Sequence, residues 1–184
     1  MSFDATYDAC VLHPAGLRDF LVRLAMTGLF RAHWSEDILD EMVASVLSRR
    51  PDLDEAQLAR TRELMCDAVP DSVTTGYKDL IEGLNLPDPN DRHVLAAAIR
   101  SGSQVIVTEN IDDFPRAVLE TYNIETQTPD VFVLHLIELS PTSVSGVIQA
   151  QATALKDPPM SVSDVLDRLA QSGLPRSVAA LKEN

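Results

Sequence analysis

Four acidic residues far apart in the chain are the candidates for chemistry: Asp8, Glu41, Asp91 and Asp113. Carboxylates gathered in one place repel each other, so a site built from them needs a cation. Mg²⁺ and Mn²⁺ are hard ions that prefer oxygen ligands. One or two of them, held by such a set, could activate a water and steady the leaving oxygen of a phosphodiester. Asp8 makes the strongest case, because it sits in the apolar run Thr6-Tyr7-Asp8-Ala9-Cys10-Val11-Leu12, where an unpaired carboxylate is costly to bury. Glu41 reads equally as a surface helix residue. Asp91 opens a helix, whose N-terminus favours its ionised form, and it could also partner Asp88 in a capping arrangement. Asp113 competes with its neighbour Asp112, one of the two being a turn residue.

Such a set is useful only if the fold gathers it. The run from Thr6 to Leu12, bounded by His13-Pro14, reads as a buried strand with Asp8 at its end. Leu17, Phe20, Leu21 and Leu24 have helical spacing from Gly16 to Thr27, with Gly28 as the stop. Leu29 to Trp34 reads as a second strand. Ser35 is the N-cap of a helix carrying Ile38, Met42 and Val46 on one face and ending near Arg49-Arg50-Pro51. Asp54 to Ala68 is a further helix, and Val73 to Leu84 reads as a short strand followed by a helix. Asp88 caps a helix from Pro89 to about Arg100, which Gly102 ends. Gln104 to Thr108 and Ile124 to Thr126 complete the strands. Apolar strands alternating with helices predict an α/β fold with a central parallel sheet covered on both faces. Ligands of such sheets bind at the carboxyl ends of the strands, where all four acids would converge. From Pro129 the pattern is helical: Pro129–Leu139, Pro141–Leu155, Ser161–Gln171 and Pro175–Leu181, broken at Lys156-Asp157-Pro158-Pro159. This predicts a sheet domain over 1–129 and a helical extension over 130–184 packed on it.

Composition sets the class. The chain has 184 residues, 45% hydrophobic and 23% charged, enough to bury a core without metal or disulfide staples. Only 5% of residues are aromatic, so Leu, Val, Ile and Ala are expected to do the packing. Cys10 and Cys66 have no zinc-like spacing and read as buried, reduced thiols. No signal peptide and no apolar run of transmembrane length is visible, which predicts a soluble, cytoplasmic protein. The net charge is −13, from 15 Lys+Arg against 28 Asp+Glu. Taken alone this opposes nucleic-acid binding, which Lys and Arg drive. Bound divalent cations would invert the potential locally, and the acidic total predicts a basic partner.

Asp8-Ala9-Cys10-Val11-Leu12, Glu41 in Trp-Ser-x-x-Ile-x-x-Glu, Asp91 before Val94-Leu95-Ala96-Ala97-Ala98, and Val107-Thr108-x-Asn110-x-x-Asp113-Phe114 together resemble a PIN domain of the VapC-type ribonuclease toxins, over about residues 5–127. Leu-Pro-Asp-Pro-Asn-Asp-Arg-His-Val-Leu-Ala-Ala-Ala is close to a subgroup that carries a helical C-terminal extension. The resemblance implies a Mg²⁺- or Mn²⁺-dependent endoribonuclease that acts on RNA and is inhibited by a cognate VapB-type antitoxin. It leaves a homodimer open and involves no membrane. By position it implies Asp8, Glu41, Asp91 and Asp113 as the acidic set, with Asp8, Asp91 and Asp113 as metal ligands. Thr108 and Asn110 would stand beside the metal, and Asp88 is an extra carboxylate near the pocket. Asn110 stands where some members have Asp, which weakens the case for two tightly held ions.

Two other readings begin from the same residues. A haloacid-dehalogenase-like phosphatase needs a second Asp two positions after the first, where Cys10 stands. A phospho-receiver module needs a Lys after a late strand, and the only lysines are Lys78, Lys156 and Lys182. A PIN fold that binds RNA or a partner without cutting is the remaining alternative.

Overall fold

Alternation along the first strand, β1 (Phe3–Tyr7), sorts the two faces of the sheet. Phe3, Ala5 and Tyr7 face one side and Asp4 and Thr6 the other. The computed structural model describes residues 2–183. In chain order the elements are α1 (Ala9–Leu12), α2 (Ala15–Ala25), β2 (Phe30–His33), α3 (Glu36–Arg49), α4 (Glu55–Ala68), α5 (Arg92–Ser101), β3 (Val105–Val107), α6 (Arg116–Leu119), β4 (Glu125–Gln127), α7 (Pro129–Leu139), α8 (Pro141–Ala154), α9 (Val162–Gln171) and α10 (Pro175–Glu183). The four strands form one parallel sheet in the order β2-β1-β3-β4, flanked by helices. The chain turns to opposite sides after β1, so the ends of β1 and β3 enclose the switch point where α/β sheets hold ligands.

One face of the sheet is aromatic. Phe3, Tyr7, Phe30 and Trp34 pack together with Phe132 of α7, at ring-centroid separations from 5.0 to 6.2 Å. Pairs of this kind contribute about 0.5–1.5 kcal/mol each beyond their burial. The low aromatic content predicts an aliphatic core, yet most of the aromatic side chains are concentrated at its centre. Phe132 also joins the C-terminal helices to the same continuous core as the sheet. On the other face Thr6 Oγ1 meets Ser103 Oγ at 2.8 Å, beside the end of α5.

Most of the predicted elements stand where expected. Ser35 accepts from Ile38 N, Asp54 and Gln57 form a capping box, and Thr128 and Ser161 cap α7 and α9. Each such cap is worth about 1 kcal/mol. Gly102 takes φ +73° to end α5, a conformation that a Cβ would penalise. Several expectations need correction. The strand predicted to reach Leu12 ends at Tyr7, because the Asp8 side chain accepts from Ala9 N and starts a helical turn. The strand near Val73 is a single bridge to Trp34, and the helix after it is a 3-10 turn over Lys78–Gly83. Gly76, with φ +71°, turns the chain between them. The helix predicted from Pro89 begins as a 3-10 turn, Pro89–Asp91, in which Asp88 accepts from Asn90 N and Asp91 makes no reciprocal cap bond. Both cysteines are free, but half-buried rather than buried. Among the described residues no single helix is long and apolar enough to cross a membrane.

Candidate functional site

Asp8 follows β1 directly, and its N–H extends the ladder by donating to Val107 O at 3.1 Å. Its side chain is buried and held at both oxygens. Oδ1 accepts from Ala9 N at 2.7 Å, and Oδ2 accepts from Thr108 Oγ1 at 2.8 Å. Thr108 follows β3, so this bond spans the switch point. Asn110 N donates to Thr108 Oγ1 at 3.0 Å. Asn110 therefore enters through its backbone, while its side chain is exposed. Burial raises the Asp8 carboxyl above the usual range; its hydrogen bonds oppose this, and the charge of Glu41 adds to it.

Asp91 completes the group from the start of α5. It is pushed up to about 6 by burial and by the charges of Asp8, Asp113, Asp88 and Glu41, all acting in one direction. The charges of Asp8, Glu41, Asp88 and Asp113 thus converge on Asp91 from four chain segments, Asp88 sharing the segment of Asp91. Asp112 does not share in this. It faces an open hollow of about 980 Å³ beside β4, with Phe114, Pro115 and Arg116. Of the two neighbouring aspartates, Asp113 is the one that acts on Asp91.

Two residues in the site escaped the sequence reading. His93, on the first turn of α5, donates from Nε2 to Glu41 Oε1 at 2.6 Å and ties α5 to α3. A carboxylate can only accept, so Nε2 carries the proton, and the buried Nδ1 has no protein partner. Burial lowers the His93 imidazolium's pKa, but the bond to Glu41 and the charges of Glu41, Asp37 and Asp8 outweigh it and raise it overall. Cys10 is the second. Its Sγ lies 3.5 Å from Asp8 Oδ2 and 3.4 Å from Thr108 Oγ1, and Glu109 N donates to it at 3.4 Å. Burial and the Asp8 charge push this thiol up to about 12, so it is a neutral packing group and no nucleophile. The imidazole two positions after Asp91 was the only available signal for His93, and its partner is 52 residues away.

The donor set suits a hard divalent cation: oxygen ligands, like charges that raise Asp8 and Asp91, and a hydroxyl that fixes one carboxylate. Among the described residues, no three side chains of metal-binding type already stand in an arrangement that could hold an ion.

Comparison with known proteins agrees with the fold. Residues 4–112 match the PIN domain profile and residues 129–183 match the VapC50 C-terminal domain profile. The chain is 39% identical over 108 residues to the protein named "Putative ribonuclease VapC50" of Mycobacterium tuberculosis (strain ATCC 25618 / H37Rv). The match covers 56% of this chain and 63% of that relative's length. No solved structure matches significantly.

Proposed function

The chain belongs to the PIN-domain family, and from that premise we propose that it is a Mg²⁺- or Mn²⁺-dependent endoribonuclease, the toxin of a toxin–antitoxin pair acting on RNA in the cytoplasm. The observation that carries this is the convergence of Asp8, Glu41, Asp88 and Asp113 on the half-buried Asp91 beside the paired ends of β1 and β3, where Asp8 is fixed by Thr108. Asp8, Asp91 and Asp113 would hold the ion, with Thr108 beside them. When bound, the ion would lower the pKa of a water and neutralise charge on the phosphodiester.

The chain's own groups do the positioning. Thr108 and the Ala9 N–H fix both oxygens of Asp8, so one carboxylate is set before any ligand arrives. Glu41 is half exposed and held at one oxygen by His93, which leaves its other oxygen to accept a proton from a water at the phosphodiester. The same proposal divides the chain into a PIN domain over 1–129 and a helical extension over 130–184. A cognate VapB-type antitoxin with a basic segment would suit the pocket, since an Arg fork could pair these carboxylates in place of the ion.

Because no ready-made ion cage is present among the described residues, a PIN fold that binds RNA without cutting is the second reading. Cleavage of RNA on addition of Mn²⁺, with an Asp8→Asn control, decides between them. Mn²⁺-dependent cutting lost in Asp8→Asn is the expected result. Binding without cutting would establish the second reading.

A further inference from the structure

Where the C-terminal helices α8 and α9 pack against α2, a cavity of about 240 Å³ lies between them. Its walls are largely apolar: Leu155 follows α8, and Met160, Val165 and Leu169 come from the approach to α9 and from α9 itself. Gly16, at the start of α2, and Gln151, near the end of α8, complete it. Gly16 and Leu155 are exposed, so the cavity is reached from solvent. A Cβ at Gly16 would meet nothing within 4 Å, which leaves open space in front of that residue. None of the carboxylates of the proposed ribonuclease site lines this cavity.

Gln151 is the unexpected member of these walls. It is only 3% exposed, and its Nε2 donates to Gly16 O at 3.0 Å. A carbonyl can only accept, so the amide orientation is settled and Oε1 is the atom left for another donor. Oε1 is buried and has no partner among the described residues. A buried acceptor without a donor is costly, and a residue with no amide would avoid that cost. A bound water would answer it poorly, since an ordered buried water makes about three hydrogen bonds. The other polar side chains on the walls are already engaged. Both oxygens of Asp19 accept from Arg23 Nε at 3.1 Å, and Ser172 Oγ donates to Arg168 O at 2.9 Å. The exposed Arg168 has only donors, so it cannot take a hydrogen bond from a water. One acceptor in an apolar hollow matches an apolar molecule with one donor.

We propose that this cavity binds a small, largely apolar molecule bearing one N–H or O–H donor, packed against Leu155, Met160, Val165 and Leu169 and donating to Gln151 Oε1. The volume is just below the range for drug-sized ligands and suits a compound of about ten non-hydrogen atoms. Bound there, the molecule touches α2 and the C-terminal helices together, so it stabilises their packing by mass action. The site stands whether or not the chain cuts RNA.

The probes are indole and benzofuran, titrated into the isotope-labelled full chain and followed by amide NMR. The two are alike in size and shape, but indole carries an N–H where benzofuran has an oxygen. Indole should bind about ten-fold more tightly, because benzofuran leaves Oε1 unpaired and sets a second acceptor against it. Shifts should centre on Gly16, Gln151 and Leu169. Gln151→Met keeps an apolar side chain of similar length and removes the acceptor, so it should abolish the preference. Leu155→Ala, at an exposed position, should weaken both probes by a similar factor and keep the preference. Indole should also raise the melting temperature of the wild type more than that of Gln151→Met. Equal affinities in the wild type, a preference that persists in Gln151→Met, or shifts centred elsewhere would overturn the site. If circular dichroism shows that Gln151→Met does not fold, the side-chain amide signal of Gln151 in the wild type decides. A shift with indole and not with benzofuran supports the site, and no shift with indole overturns it.

Discussion

A buried aspartate stands at or near each end of β1, Asp4 within it and Asp8 just after it, and the two are handled in opposite ways. Asp4 accepts from Arg31 Nε at 2.9 Å and Nη2 at 2.6 Å, and from His33 Nε2 at 2.7 Å. Burial pushes its carboxyl up, but these two partners outweigh it and hold the carboxyl below the usual range. Asp8, four residues further on, has hydroxyl, thiol and amide partners and the charge of Glu41 acting on it, and its carboxyl is raised. The same residue type is thus a finished structural ion pair within the strand and, just beyond its end, a carboxyl with no cationic partner among the described residues. The protein supplies the cation for Asp4; on the proposed reading the cation for Asp8 comes from outside.

Swapping carboxylate for amide at each end is the sharpest way to break this contrast. Asp8→Asn and Asp91→Asn should each reduce Mn²⁺-dependent RNA cleavage by more than about 100-fold, since loss of a ligand exceeds loss of its supporting partner. Asp113→Asn should fall with them, while Asp112→Asn and Asp4→Asn should stay within about twofold of the parent, because neither touches the ion. An Asp8→Asn variant with full activity would remove the distinction altogether.

A smaller loss is expected where His93 supports the site without being a ligand. His93→Ala should cost about 10-fold in kcat by freeing Glu41, and His93→Gln, which can still donate, should recover part of it. Circular dichroism of both variants would show whether the fold had been disturbed instead.

Stability should reverse the ranking of the two aspartates. Asp4→Asn breaks a charge-assisted network and should cost about 2 kcal/mol in urea unfolding. Metal-free Asp8→Asn should be no less stable than metal-free wild type, because it relieves repulsion. A marked destabilisation of Asp8→Asn would mean that its bonds to Thr108 and Ala9 outweigh the repulsion.

The smallest effect is in the pH dependence of the metal-free protein. A carboxyl raised in the folded state favours its protonated form there, so stability declines as pH climbs from the unfolded value near 3.8 through about 6 for Asp91. Asp4, lowered in the folded state, contributes stability that is present above 3.8 and lost as pH falls through its folded value. Melting temperatures between pH 5 and 7 should therefore fall in the wild type and fall less in Asp91→Asn. Mn²⁺ at pH 7 should restore the wild type more than the variant. Equal slopes in the two proteins would show that Asp91 titrates normally.

Much of the fold was legible because it rests on local signals. Helix starts at Ser35, Asp54, Asp88, Thr128 and Ser161 are short-range hydrogen bonds between a side chain and a nearby N–H, and the residue types announce them. The misread segments are those where a side chain or a turn overrides apolar pattern. Residues Ala9–Leu12 look like more strand, but the Asp8 cap makes them a helical turn. The aromatic residues likewise gave no sign that Phe132 would close the face built from Phe3, Tyr7 and Phe30.

By itself the sequence determined the alternation of strands and helices, the helical C-terminal segment and the positions of the four acids, because periodicity, caps and motif spacing are properties of neighbouring residues. Only the tertiary structure decided which carboxylates would meet and which would be neutralised. It put Arg31 and His33 against Asp4 through the β1–β2 register, and it put His93 against Glu41 across α5 and α3. Charge compensation depends on distances between residues remote in the chain, and those distances are fixed by strand register and helix packing.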